Sequence, residues 1–400
     1  MPAVTPEVLV WARETAGLTV DQAVTKLGIK TARGISGRDR LTRMEAGETE
    51  VTRPLLVKMA KLYRRPLLAF YMAAPPAKGN RGEDFRSLPE RLTDAEPLVD
   101  ALVRDVKARQ SMVRSMLEDE EAEPLEFVGS MSMTDGVGPV IASIRRTLDI
   151  DLLEFRAQGT PEAAFALLRE KVEAAGVFVL LIGNLGSHHS NLAVEAFRGF
   201  ALADPLAPFI VINDQDAKTA WSFTLLHELA HIWVGATGVS GAYAEGRLER
   251  FCNDVASGFL LSGQELVFLA AQQHLPLADL AGLISQFARD RLISKSLVAY
   301  RMFRAGTLTE ANWRQLASQF QAEWQAARQV QRERARDREG GPNYYVVRRH
   351  RLGTALLRLV ARNLDEGALT PTRASKVLGV KPRSVAPLLN VGPFPLAQAG

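Results

Sequence analysis

His227-Glu228-Leu229-Ala230-His231 is an HExxH sequence. Each residue of an α-helix turns the chain by about 100°, so residues four apart share a face. Both imidazoles can then reach one ion, at the roughly 2.0–2.1 Å that zinc prefers. Glu228 stands beside the first histidine, where it reaches water at the metal rather than the metal. That is the arrangement for metal-assisted hydrolysis: the ion acidifies water and the carboxylate takes its proton.

A catalytic zinc takes a third protein ligand and keeps a fourth position open. Glu245, Glu249 and Asp254 compete for that place. Glu249 is preferred, because its helix has a buried face through Cys252, Ala256 and Phe259, and a carboxylate in the first turn can look into the site. The bland alternative is a structural polar cluster. Phe223, Leu225, Leu226, Leu229, Ile232 and Trp233 make the HExxH helix apolar almost everywhere outside the motif. Two histidines and a glutamate in such a helix are costly unless something satisfies them, which favours a metal. Cys252 reads as a small core residue.

These side chains need elements to hold them. Residues 177–182, 199–203 and 209–212 are short apolar runs read as strands, the last two divided by Asp204-Pro205. Helices are predicted over 137–148 and 161–174, and after Asn213 the pattern is helical and stays so. This order predicts an α+β unit over 135–300. Residues 1–73 read as short helices, one ended by Gly17, one capped by Thr19 and stopped by Gly28, and one carrying Leu55, Met59 and Leu62 up to Pro66. Residues 74–134 read as a linker rich in Pro, Gly and charge, then a long helix over 98–120. Residues 301–400 read as a helical extension: an exposed helix over 313–338, a break at Gly340-Gly341-Pro342, and short helices over 352–363 and 372–378. The predicted fold is mainly α with a small α+β unit.

Between Lys30 and Arg65 stand ten Lys/Arg against four Asp/Glu. Arg33, Arg38, Arg40 and Arg43 fall near the expected third helix, where DNA backbone and base contacts would come from. The alternative is a helical module for protein contact with solvated arginines. Residues 370–389 have a fainter helix-turn-helix look, with Leu378-Gly379-Val380 as the turn and a basic cluster at Arg348, Arg349 and Arg351 nearby. His188 and His189, after Gly183-Asn184-Leu185-Gly186, either face substrate or belong to an ordinary polar loop. Asn213 and Asp214 either cap the zinc helix or edge the cleft, capping being the commoner use. His274 and His350 read as surface residues.

Composition sets bounds on all this. A chain of 400 residues exceeds one ordinary domain. A hydrophobic fraction of 47% and a charged fraction of 24% exclude a mostly disordered or fibrous chain. The net charge of +4 is mild and conceals local excesses. The single cysteine excludes an intrachain disulfide and a Cys-based zinc finger, and fits a reducing cytoplasm. Residues 1–10 lack a basic segment followed by an apolar run, so no signal peptide is expected. No apolar run approaches the roughly 20 residues of a membrane helix.

The stretch Phe223-Thr224-Leu225-Leu226-His227-Glu228-Leu229-Ala230-His231-Ile232-Trp233, with Phe209-Ile210-Val211-Ile212-Asn213 before it, resembles the ImmA/IrrE-type zinc metallopeptidases. So does Glu249-x-x-Cys252-Asn253-x-x-Ala256, in which the family usually has Ala at the position of Cys252. The resemblance covers residues 170–300. It implies a gluzincin-like domain with a short β-sheet, His227, His231 and Glu249 as zinc ligands, and Glu228 as general base. Residues 1–73 are similar to Xre-type helix-turn-helix domains through Leu18-Thr19, Leu27-Gly28, Met44-Glu45-Ala46-Gly47-Glu48 and the helix closing at Tyr63. Asp84-Phe85-Arg86-Ser87-Leu88-Pro89 matches a linker common in that arrangement. The segment from Thr31 to Arg38 is longer and more Gly-rich than the usual turn into the third helix. Together these features lead us to expect a cytoplasmic zinc endopeptidase with a DNA-binding module. Its substrate would be a regulatory protein, such as a transcriptional repressor or antitoxin, held in extended form by strand addition. The competing expectation is a helix-turn-helix transcriptional regulator whose metallopeptidase-like domain senses a partner or ligand without cleaving it.

Overall fold

Proline and glycine punctuation sets the N-terminal helices: α1 (Pro6–Glu14), α2 (Val20–Leu27), α3 (Gly37–Glu45) and α4 (Arg53–Leu62). The computed structural model describes residues 4–76, 96–185, 191–236, 238–240, 246–272, 274–336 and 343–390. It divides into two compact units, Met1–Asp105 with Leu185–Leu192, and Val106–Asn184 with Ala193–Gly400. In the first unit, Thr19 starts α2 with a reciprocal cap: its hydroxyl accepts from Gln22 N and its own N–H donates to Gln22 Oε1. Gly28 ends α2 in the left-handed region, at φ +67°. Gly37 opens α3 so close to the end of α2 that a Cβ there would fall 2.2 Å from Ile29 O, just past that helix, and 2.9 Å from Val24 Cγ1 within it. Leu41 and Met44 then face Ala23, Leu27, Leu56, Met59 and Phe70 in a small core. A buried pair, Arg13 Nε to Glu45 Oε1 at 2.7 Å, ties α1 to α3.

Helix α5 (Glu96–Asp119) leads into the second unit, where α6 (Val137–Leu148), α7 (Leu152–Arg156) and α8 (Pro161–Ala174) precede three strands. These are β1 (Phe178–Leu181), β2 (Gly199–Leu202) and β3 (Phe209–Ile212), and every residue in them is buried. Runs that are apolar on both faces suit a sheet covered on both sides. Helix α9 (Lys218–Trp233) follows, then β4 (Gly238–Ser240) and α10 (Arg247–Leu260). The strand order is β1-β3-β2-β4, with β1 parallel to β3 and the other pairs antiparallel. Strand β4 corrects the expectation that the chain is helical throughout after Asn213. Its three residues are too few to show a period of two. The opposite edge, β1, is closed by Arg169, whose guanidinium donates to Val179 O.

Helices α11 (Gly263–Ala270), α12 (Leu277–Asp290), α13 (Lys295–Arg304) and α14 (Glu310–Arg336) complete the core around α9 and α10. The chain ends in α15 (Tyr344–Leu352), α16 (Thr354–Asp365), α17 (Pro371–Val377) and α18 (Val385–Asn390). The helix expected over 352–363 is α16, which begins two residues later, and α15 before it was not expected. Gly353, at φ +80°, separates α15 from α16, and a Cβ there would lie 2.1 Å from Glu173 Oε1. The molecule is mainly helical with one small sheet, as the sequence predicts. Among the described residues no helix is long and apolar enough to cross a membrane.

Candidate metal centre

A polar turn launches α9. Asn213 Oδ1 accepts from Gln215 N at 3.0 Å, while its amide donates to Phe197 O. Asp216 accepts from Ala217 N at 2.7 Å and pairs with Arg198. Burial pushes the Asp216 carboxyl above its ordinary range, against the pull of Arg198. Asn213 thus shapes the turn into α9 rather than capping it, since the N-cap position is Ala217. Asp214 is held by Arg351 at 2.7 Å. From there α9 runs through the core, with Trp221, Leu225, Leu226, Leu229, Ile232 and Trp233 all buried.

Helix α10 packs against α9 with Glu249, Cys252, Val255, Ala256 and Phe259 buried. Small residues at 252 and 256 let the two helices approach. Glu249, in the first turn of α10, then meets both histidines. His227 Nε2 lies 3.1 Å from Glu249 Oε2, His231 Nε2 lies 3.1 Å from Glu249 Oε1, and the two Nε2 atoms are 3.2 Å apart. The exposures of His227, His231 and Glu249 are 4%, 0% and 2%, so solvent does not satisfy the cluster.

With the Glu249 carboxyl ionised, imidazole protons alone do not resolve this triangle. If both Nε2 atoms carry hydrogen, two N–H groups confront each other. If neither does, lone pairs face along all three edges. With one proton, at least one edge still sets lone pair against lone pair. A cation between the three groups removes the conflict. Donors at about 2.0–2.1 Å from zinc in tetrahedral directions stand about 3.3 Å apart, close to the observed spacing. The donor set of two imidazoles and a carboxylate therefore fits such an ion. Burial by itself would raise the Glu249 carboxyl, but the hydrogen bonds and charge of the two histidines outweigh it and hold the group at about 2.

Glu228 is fully buried beside this cluster. Its carboxylate lies against Gly199, the first residue of β2, where a Cβ would fall 2.7 Å from Glu228 Oε1 and 2.7 Å from Thr224 Cγ2. Sequence reasoning missed Gly199. The available signal was a glycine beginning an otherwise apolar strand, which often marks a close backbone approach.

The other candidates distribute as follows. Asp254, a competitor for the third ligand, is turned to α13, where it accepts from Tyr300 and from both arms of Arg304. Glu245 lies outside the described residues, as do His188 and His189. Cys252 is buried and forms no disulfide. His274 and His350 are exposed. Arg33 stands in the turn before α3 in a left-handed conformation, at φ +53°. Arg38, Arg40 and Arg43 lie on α3: Arg38 pairs with Asp21 at 2.6 Å, Arg40 donates to Lys30 O at 2.7 Å, and Arg43 stands 3.9 Å from Glu48.

Comparison with known proteins adds a further finding. Residues 188–303 match the family model Peptidase_M78, described as the IrrE N-terminal-like domain. The match spans β2 to α13 and includes all four residues of the buried cluster. It supports kinship with ImmA/IrrE-type peptidases and suggests a metallopeptidase-like activity. No curated protein and no solved structure matches the chain.

Proposed function

We propose that the chain is a zinc-dependent endopeptidase that hydrolyses a peptide bond in a regulatory protein, a transcriptional repressor or an antitoxin, and that residues 1–73 serve as its DNA-binding module. The observation that carries the reading is the buried triangle of His227, His231 and Glu249 with the Glu228 carboxylate beside it. Zinc held there would polarise the scissile carbonyl and acidify water. Glu228 would take the proton from the attacking water and deliver it to the leaving amine. Gly199 keeps that carboxylate in place by leaving it room, and the surrounding apolar helices exclude bulk water. Strand β4 stands at the sheet edge that Arg169 does not close, and an extended substrate segment could pair there through its backbone.

Support for the DNA module is compositional and topological: ten basic residues against four acidic between Lys30 and Arg65, and α2 and α3 joined by a glycine-bearing turn. The reading without catalysis, a regulator that only senses, leaves Glu228 without a purpose. A fully buried carboxylate is costly to keep and a binding domain does not need it there.

The test compares purified full-length wild type with Glu228→Gln, each with zinc content measured, on repressors and antitoxins encoded nearby. Cleavage by wild type and none by the variant, at equal zinc, supports the reading. Zinc-loaded wild type that cleaves nothing the variant spares leaves the sensing role instead.

A further inference from the structure

Residues 343–390 hold nine Lys/Arg and two Asp/Glu, an excess of seven in a chain whose total excess is four. The remaining residues together are net acidic. The nine cations divide by what they touch. Arg348 donates to Leu378 O and Gly379 O, both at 2.8 Å, and Arg349 donates to Leu388 O at 3.3 Å. Arg351 pairs with Asp214, Arg362 pairs with Glu120, and Arg358 also has a partner. These five fasten the segment to itself and to its neighbours. Arg373, Lys376, Lys381 and Arg383 are different: all four are exposed, and among the described residues none forms an ion pair. No acidic residue occurs after Glu366 as far as Asn390.

The four ride on a fixed scaffold. Thr370 caps α17 by accepting from Arg373 N, and Ala374, Val377 and Leu378 are buried. Gly379 turns the chain at φ +60°, with the Arg348 guanidinium holding the carbonyls of that turn. Val385 and Leu388 bury the facing side of α18. Arg373 and Lys376, three apart, share the outward face of α17. Lys381 and Arg383 stand in the turn just ahead of α18. In a helix-turn-helix the first helix crosses the nucleic-acid backbone while the start of the second approaches the groove. The scaffold is itself anchored to the unit that carries the metal cluster. Glu173 accepts from Thr354 N and Ala355 N at 2.7 and 3.1 Å, and Arg169 donates to His350 O at 2.6 Å.

We infer that residues 343–390 form a second site for duplex DNA, separate from residues 1–73, in which Arg373, Lys376, Lys381 and Arg383 contact phosphates. The site reads the backbone rather than the bases. Among the described side chains of α18 the exposed ones are Ala386 and Pro387, which cannot hydrogen-bond a base edge. The four cations stand in residues 370–390, which contain no aromatic side chain on which the bases of a single strand could stack; the tyrosines of the segment, Tyr344 and Tyr345, lie on α15. The site would hold the metallopeptidase-like unit on DNA without help from the N-terminal helices.

The test uses the full chain, a labelled mixed-sequence duplex of about 30 base pairs and a potassium chloride series. Relative to wild type, R373Q/K376Q/K381Q/R383Q lowers affinity at least about tenfold near 100 mM salt. It also flattens the log–log salt slope by about 3.6, since each of the four phosphate contacts contributes about 0.9. R33Q/R38Q/R40Q/R43Q leaves that increment in place. The charge-conserving R373K/K376R/K381R/R383K chain keeps wild-type affinity and slope. An unchanged slope in the C-terminal glutamine variant overturns the inference. So does loss of binding in the charge-conserving variant, which would point to damaged shape rather than lost charge. Single strands of the same length bound as tightly as duplex overturn the assignment to duplex DNA.

Discussion

Two helices of this molecule carry the most conspicuous polar residues, and they place them in opposite surroundings. Helix α9 buries His227, Glu228 and His231 among tryptophan, leucine and isoleucine. Helix α3 sends Arg38 and Arg43 into solvent, where Asp21 and Glu48 meet them, and leaves Arg40 half-buried on the Lys30 carbonyl. A buried polar group must be satisfied by something specific, so its presence is informative about chemistry. An exposed arginine is already satisfied by water and one passing carboxylate, and the same side chain serves DNA, protein or nothing. The comparison explains why one motif points to a reaction and the other only to a class of partner.

The largest expected effect lies in α9. Glu228→Gln should lower peptide hydrolysis by about 10²–10⁴-fold while zinc content stays at the wild-type level, because only the proton acceptor is removed. Substrate turnover and metal analysis on the same preparation check it. If zinc is lost along with activity, Glu228 supports the metal site rather than the proton transfer.

The same contrast governs what could be read without coordinates. The HExxH spacing and the apolar flanks of α9 were legible because helical periodicity and the cost of burial act locally in sequence, whereas Glu249 was the preferred one of three carboxylates and meets the histidines only through the packing of α10 on α9. The three strands β1, β2 and β3 were legible as apolar runs bounded by turn residues. Strand β4 was not, being three residues without a period. Gly199 was not, because its importance comes from Glu228, which is distant in sequence and meets it only through the packing of α9 on β2. The break at Gly353 was missed for a similar reason: Glu173 occupies the space a side chain would take.

Arginines sharpen the comparison next. Arg169 and Glu173 form a pair with side chains 8% and 6% exposed, whereas Arg38 and Asp21 are 63% and 64% exposed. Arg169→Ala should destabilise the chain by about 3–5 kcal/mol, since it leaves the buried Glu173 carboxylate without its counter-charge. Arg38→Ala should change stability by at most about 1 kcal/mol. Denaturant unfolding of both variants measures the difference, and equal effects would remove burial as the deciding factor.

Gly199→Ala should cost about 1–3 kcal/mol by forcing the Glu228 carboxylate or Thr224 to shift. Activity should fall further than zinc content, which metal analysis and peptide turnover resolve. Retained activity would mean that Glu228 moves without consequence.

The smallest effect belongs to a half-buried carboxylate. Burial raises the Glu265 carboxyl, but Arg156, Ser262 and Arg291 outweigh it and hold the group at about 2, below its ordinary 4.5. A lowered folded-state value stabilises the chain above the ordinary value and loses that stabilisation as pH falls toward the folded one. The stability gap between wild type and Glu265→Gln should therefore be full at neutral pH and narrow between about pH 4.5 and 2. Thermal unfolding across that range follows it, and a gap that is constant with pH would assign the effect to shape rather than charge.

The central claim is that His227, His231 and Glu249 together hold one metal ion. Its most direct measurement is the zinc stoichiometry of the purified full chain beside Glu249→Ala, with folding of both verified by circular dichroism. The account predicts about one zinc per wild-type chain and a large loss in the variant. A folded wild type that takes up no zinc, or a variant that keeps its full complement, would contradict it.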